Sequence, residues 1–223
     1  MKSRNFFTCR IFSAAAVLGA ICVSFFSTGC SFFGIRTTEE AGYVVVDKRD
    51  QIEIRDYEEL VVVETSVNSD YEEAGNIAFK RLFAYISGEN LSKAKIAMTA
   101  PVMAKEGDDP AGDKIPMTGP VPGERQAEGW RYGFVLPAGI TLENAPLPSN
   151  PDITLGVIPR KKVAVIRYSG SWKEQTMREK TEDLVEWIRA NGFQRLSNPR
   201  SARYDPPWTL PFLRRNEVMI DVD

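Results

Sequence analysis

The sequence predicts an α+β fold in which two similar halves share one sheet, and three observations predict it. Val- and Ile-rich runs of strand length recur along the chain, each half carries one amphipathic helix, and the order strand, strand, helix occurs twice. The two Val-rich strands that precede the helices lie about a hundred residues apart. The chain has 223 residues, 43% hydrophobic and 26% charged, enough for one sizeable domain with a hydrophobic core.

The N-terminus reads as an address label. Lys2, Arg4 and Arg10 precede an apolar run from Ile11 to Phe26, followed by Ser27-Thr28-Gly29-Cys30, which together make a secretory signal. Ending on Gly-Cys, it resembles a bacterial lipoprotein signal, with Cys30 as the lipidated first residue of the mature chain. Ser27 stands where such signals more often carry Leu. An uncleaved membrane anchor is the other reading, although the run is short for one and rich in Ala, Ser and Gly. Removal of residues 1–29 takes Cys9 and Cys22 with it and leaves 25 basic against 30 acidic residues, with no thiol free and no disulfide possible. Ser31 rather than aspartate follows Cys30, which points to an outer-membrane anchor facing the periplasm. Residues 30–42 would then be the lipidated cysteine and tether, and 43–223 the folded domain.

Strands are expected at Tyr43–Val46, Gln51–Arg55 and Leu60–Thr65, where Ile52 and Ile54 alternate with polar neighbours as in a half-buried strand. A helix follows. Asp70 caps it, Glu72 and Glu73 occupy its first turn, and Gly88 ends it. Ala74, Ala78, Phe79, Leu82, Phe83 and Ile86 share a broad apolar face that either grips a flat apolar ligand or packs on the sheet.

Next comes a tandem echo. Lys95-Ile96-Ala97-Met98-Thr99-Ala100-Pro101-Val102 returns as Lys114-Ile115-Pro116-Met117-Thr118-Gly119-Pro120-Val121, identical at six of eight positions. The two copies read as extended segments folded back on each other, and their prolines suit an edge or a rim better than the middle of a sheet. Either their Met and Val fill core, or the paired Met-Thr segments line a cavity.

Trp130, Tyr132 and Phe134 share one face of an aromatic strand that stops at Pro137. Pro146, Pro148 and Pro151 mark an irregular connector. Ile153–Ile158 and Val163–Tyr168 then read as another strand pair, and Ser171-Trp172-Lys173-Glu174 as a capping box opening the second helix. That helix carries the stripe Met177, Thr181, Leu184, Ile188 and closes at Asn191-Gly192. In the tail, Arg214 and Arg215 beside Glu217 read either as a surface ion pair or as a cation site for a ligand carboxylate.

Composition excludes several chemistries. The chain contains no histidine, which removes imidazole bases, Ser-His and Cys-His pairs, and the usual zinc and haem ligands. A formal charge of −2 and the lack of any basic cluster with interleaved aromatics argue against a nucleic-acid partner. No carboxylate pair, phosphate loop or metal-ligand spacing marks a catalytic site, so a binding protein is expected rather than an enzyme.

Four segments in this order resemble the SOUL haem-binding family: Ile52-Glu53-Ile54-Arg55-Asp56-Tyr57, the Lys95–Val102 segment, Phe134-Val135-Leu136-Pro137, and Arg214-Arg215-Asn216-Glu217-Val218. The likeness spans roughly residues 43–222. It implies a distorted antiparallel β-barrel of two similar halves, each with a helix packed outside; the proline-rich tail is read separately, with Trp208 and Phe212 expected to seal one end of the barrel. It also implies binding of haem or another tetrapyrrole in a shallow apolar pocket beside the first helix. Carried onto this chain, that pocket would be Asn76, Phe79, Phe83, Met98, Trp130 and Tyr132. Some relatives supply a histidine ligand and a basic residue near Asn76, and this chain supplies neither. Met98, Met103, Met117, Tyr85 and Tyr132 are the candidate axial ligands; without one, apolar contact must hold the ring. The alternative is an envelope protein that uses the same scaffold for a protein partner or another small hydrophobic ligand.

Overall fold

The computed structural model describes residues 38–106, 129–206 and 208–223. Cys30, Met117 and the second copy of the tandem echo lie outside the described residues, as does the signal segment.

The fold is α+β, a curled nine-stranded antiparallel sheet forming a half-barrel with two helices. The strands are β2 (Tyr43–Arg49), β3 (Ile52–Tyr57), β4 (Leu60–Val67), β6 (Val102–Glu106), β7 (Trp130–Val135), β8 (Ile153–Ile158), β9 (Lys161–Tyr168), β10 (Arg200–Arg203) and β11 (Asn216–Val222). They lie in the order β2-β3-β9-β11-β10-β6-β7-β4-β8. Two short strands, β1 (Glu39–Glu40) and β5 (Thr99–Ala100), pair in parallel apart from this sheet. Helices α1 (Tyr71–Ile86) and α2 (Glu174–Ala190) follow β4 and β9.

The duplication expected from the strand-strand-helix repeat is present, with an exchange. In one half β4 leads into α1 and pairs with β7, which pairs with β6; in the other β9 leads into α2 and pairs with β11, which pairs with β10. The halves join where β6 meets β10. Each half lends the other the strand just before its own helix-leading strand: β3 pairs with β9 and β8 with β4. The consecutive runs Ile153–Ile158 and Val163–Tyr168, expected as a pair, are therefore not hydrogen-bonded to each other.

Local chemistry explains the helices unevenly. The Asp70 carboxylate accepts from the backbone N–H groups of Glu72 and Glu73 at 3.1 and 2.9 Å, giving α1 its N-terminal cap. Gly88 follows with φ of +110°, a conformation that costs a residue with a Cβ. The expected capping box of α2 does not form: Lys173 occupies the cap without a side-chain bond, and the Ser171 hydroxyl accepts only from Lys173 N. Met177, Leu184 and Ile188 are nevertheless buried, so packing of the apolar stripe positions α2.

Side chains alternate between two buried faces of the sheet. Val63, Phe134, Ala164, Val218 and Ile220 join Ala74, Ala78, Leu82 and Leu184 of the helices in the main core. The opposite face carries smaller clusters around Tyr57, Val163, Met219 and Tyr204, and around Val62, Met103 and Val135. Of the first tandem copy only Val102 enters the large sheet, as the first residue of β6, while Thr99 and Ala100 form β5 beside β1, so Pro101 stays out of the middle of the sheet as expected of that segment. Trp208 and Phe212 do not seal an end of the barrel: they are 63% and 70% exposed, in the proline-punctuated loop before β11.

Candidate functional site

On α1 the positions nearest the sheet go to Ala74, Ala78, Leu82 and Tyr85, each at most 1% exposed. Phe79 and Phe83 lie one or two residues round the wheel from Ala78 and Leu82, on the flank rather than the base of the helix. They are 41% and 48% exposed. Their rings stack at 5.8 Å between centroids with an interplanar angle of 11°. Phe79 also meets the edge of Phe134 at 5.6 Å, which fixes the pair against the sheet. Asn76 is exposed on the same flank, one turn earlier. The opposite flank is polar, with Arg81 hydrogen-bonded to Thr65 and ion-paired to Asp152.

Met98 is 37% exposed. Its segment leaves the end of α1, where Ile96 N–H donates to Ile86 O at 2.8 Å. It then reaches β7, where the Thr99 hydroxyl donates to Val135 O, next to Phe134. Asn76, Phe79, Phe83 and Met98 are therefore all accessible, three of them on one helix flank.

Trp130 and Tyr132 do not join them. Trp130 is 6% exposed with its ring 4.6 Å from Tyr71, and Tyr132 is 3% exposed with its hydroxyl donating to Tyr71 O at 2.8 Å. A Cβ at Gly75 would sit 3.1 Å from that hydroxyl, so helix and strand are in direct contact there. The space between α1 and the aromatic strand is filled by the protein's own side chains. Burial raises the Tyr132 phenol far above its ordinary pKa, and it stays neutral. Of the other candidate ligands, Tyr85 is buried and donates to Pro146 O, and Met103 faces the opposite side of the sheet. Among the described candidate ligands, Met98 is the one that is partly exposed.

The opposite face holds a buried charge network in place of a surface ion pair at Arg215 and Glu217. Arg55 donates twice to Glu217, at 2.8 and 2.9 Å, and to the Tyr57 hydroxyl at 3.1 Å. Arg215 reaches the same carboxylate at 2.9 Å and Glu40 at 2.9 Å, and Tyr204 donates to it at 2.7 Å. Burial alone would raise the pKa of Glu217; the hydrogen bonds and charges of Arg55 and Arg215 prevail and hold it below the usual carboxylate range. Arg214, by contrast, donates to Thr209 O and lies over the Trp172 ring. This network is saturated and structural. Its signal in the sequence is the two-residue spacing of Glu53, Arg55 and Tyr57 in β3 and of Arg215 and Glu217 at the start of β11, which puts the side chains of each run on one face of the sheet, with β9 between the two strands.

Comparison with known proteins agrees with this architecture. Residues 38–221 match the SOUL heme-binding protein family, described as "SOUL heme-binding protein". No curated protein matches the sequence. Among solved structures, the chain is similar to the EcmrR C-terminal domain with a TM-score of 0.55 and 15% identity, covering 78% of this chain and 97% of that one. In a cryo-EM structure of an EcmrR–DNA complex the TM-score is 0.56 at 14% identity, with 78% of this chain and 57% of that chain covered. A hydrolase from Listeria innocua aligns at a TM-score of 0.52 and 11% identity, over 80% of this chain and 94% of the other. At these identities the likeness is one of fold.

Proposed function

The chain belongs to the SOUL heme-binding protein family, and from that premise we propose that it binds haem or a related tetrapyrrole on the exposed flank of α1, held by apolar contact without histidine ligation. The observation that carries this reading is the stacked Phe79–Phe83 pair, two large apolar rings left 41% and 48% exposed. A flat macrocycle laid on that pair removes apolar surface from water on both sides. Asn76 offers an amide for a ring substituent, and Met98 a thioether at the edge. Trp130 and Tyr132 support the helix from below and do not touch the ligand. Such a site binds weakly, because only one face of the ring is covered and no strong axial bond forms.

The same reading makes the protein a binding module rather than an enzyme, without a nucleic-acid partner. Cys30 carries a lipid that anchors residues 43–223 to the outer membrane on its periplasmic side. Haemin titration followed at the Soret band tests the ligand. A saturable shift that weakens about tenfold in Phe79→Ala supports it, the loss corresponding to one large apolar side chain; the absence of a saturable change overturns it. Metabolic labelling with a radioactive fatty acid, lost in Cys30→Ser, tests the anchor.

A further inference from the structure

A cavity lies away from the α1 flank, where the turn between β3 and β4, the 136–143 loop and the segment around β1 come together. Its volume is about 640 Å³, large enough for a small organic molecule. Leu60, Val135, Ile140, Leu142 and Val157 supply the apolar part of its wall. Five glutamates line it, Glu39, Glu40, Glu58, Glu59 and Glu143, and among the described residues no lysine or arginine does. Glu39 and Glu40 are held in place, the first accepting from Ala138 N at 2.8 Å and the second paired to Arg215 at 2.9 Å. Glu58, Glu59 and Glu143 have no ion pair among the described residues. Arg160, whose charge Glu58 also favours, is clamped by Asp56 at 2.5 Å.

From this pairing of a partly apolar wall with uncompensated negative charge, we propose that the cavity binds an organic cation with an apolar body, such as a quaternary ammonium compound. The carboxylates are spread around the cavity, and among the described residues no three acidic side chains converge as metal ligands, so a compact metal ion is a poor fit. A tetrapyrrole bearing propionates is a poor fit too, since its charges meet like charges. The two sites therefore select ligands of opposite sign. A large, weakly hydrated cation enters the partly apolar cavity at small desolvation cost and gains from each nearby carboxylate.

Isothermal titration of the purified protein with benzyltriethylammonium, beside 4-tert-butylbenzenesulfonate and the neutral 4-tert-butylbenzyl alcohol, tests the inference. Saturable binding of the ammonium alone, weakening as salt rises, is the expected result. The triple variant Glu58→Gln/Glu59→Gln/Glu143→Gln changes only exposed side chains and is expected to weaken it about tenfold. Leu142→Arg, which supplies an internal cation, is expected to do the same while leaving the haemin titration unchanged. No saturable heat with the ammonium, equal affinity for the sulfonate or the alcohol, or undiminished binding by the triple variant overturns the proposal, and none of these outcomes bears on the α1 flank.

Discussion

Arg55 and Glu217, 162 residues apart in the chain, form a two-pronged ion pair at 2.8 and 2.9 Å from which water is excluded on both sides. Because β3 and β11 both border β9, this pair ties the strand lent by the first half to the last strand of the second. Glu217→Ala removes the carboxylate shared by two buried guanidinium groups, leaving Arg55 to Glu53 and Arg215 to Glu40 at the edges of the network. A loss of about 3–5 kcal/mol is expected, read from the denaturant midpoint, against a smaller loss for Glu217→Gln.

Acid should act on the same strand. The pKa values of Glu217 and Asp221 are both lowered on folding. For Asp221 the charges and hydrogen bonds of Arg200 and Lys161 overcome the effect of burial. In the window below the ordinary values of 4.5 and 3.8 the unfolded chain binds more protons than the folded one, so stability falls with falling pH. The contribution is fully present above pH 5 or so. Thermal melts between pH 3 and 7 should show a steep acid limb that flattens in Glu217→Gln.

The two helix starts should respond differently to the same kind of change. Asp70→Ala removes two side-chain-to-backbone bonds and is expected to cost about 1 kcal/mol. Ser171→Ala removes only a bond to Lys173 N, outside the helix, and should stay within about 0.5 kcal/mol in the same urea titration.

Gly129, at the entrance to β7, has φ of +120°, and a Cβ there would stand 2.5 Å from Val67 O. Gly129→Ala therefore combines backbone strain with a clash against backbone. A destabilisation of roughly 2–3 kcal/mol is expected from the same urea titration, with the far-ultraviolet circular dichroism spectrum of the folded state preserved.

Much of the fold was legible because its signals are local or periodic: the cap at Asp70, the stripe Met177, Leu184, Ile188, and the alternation at Trp130, Tyr132 and Phe134 all depend on residues close in sequence. The exchange of strands was not legible, since either partner satisfies an identical alternating pattern. The buried network was hidden by the convention that a charged residue alternating with isoleucine faces water; Arg55 is 1% exposed because its side chain lies on a buried face of the sheet, where it meets Glu217 across β9. The candidate site divided for a related reason. Helical periodicity could place Phe79 and Phe83 on a broad apolar face, but whether a ring sits at its base or its flank depends on which smaller residues fill the base, here Ala74 and Ala78. The cavity of glutamates has no motif, being assembled from turns.

The most direct test of the central claim is a haemin titration of the purified protein and its Phe79→Ala/Phe83→Ala variant, followed at the Soret band with Tyr132→Phe as the control for helix seating. Saturable binding that the double variant weakens by roughly thirtyfold or more, and the control leaves unchanged, is the result expected from two lost ring contacts. A Soret band that does not shift in the native protein, or binding as tight without both rings as with them, would contradict it.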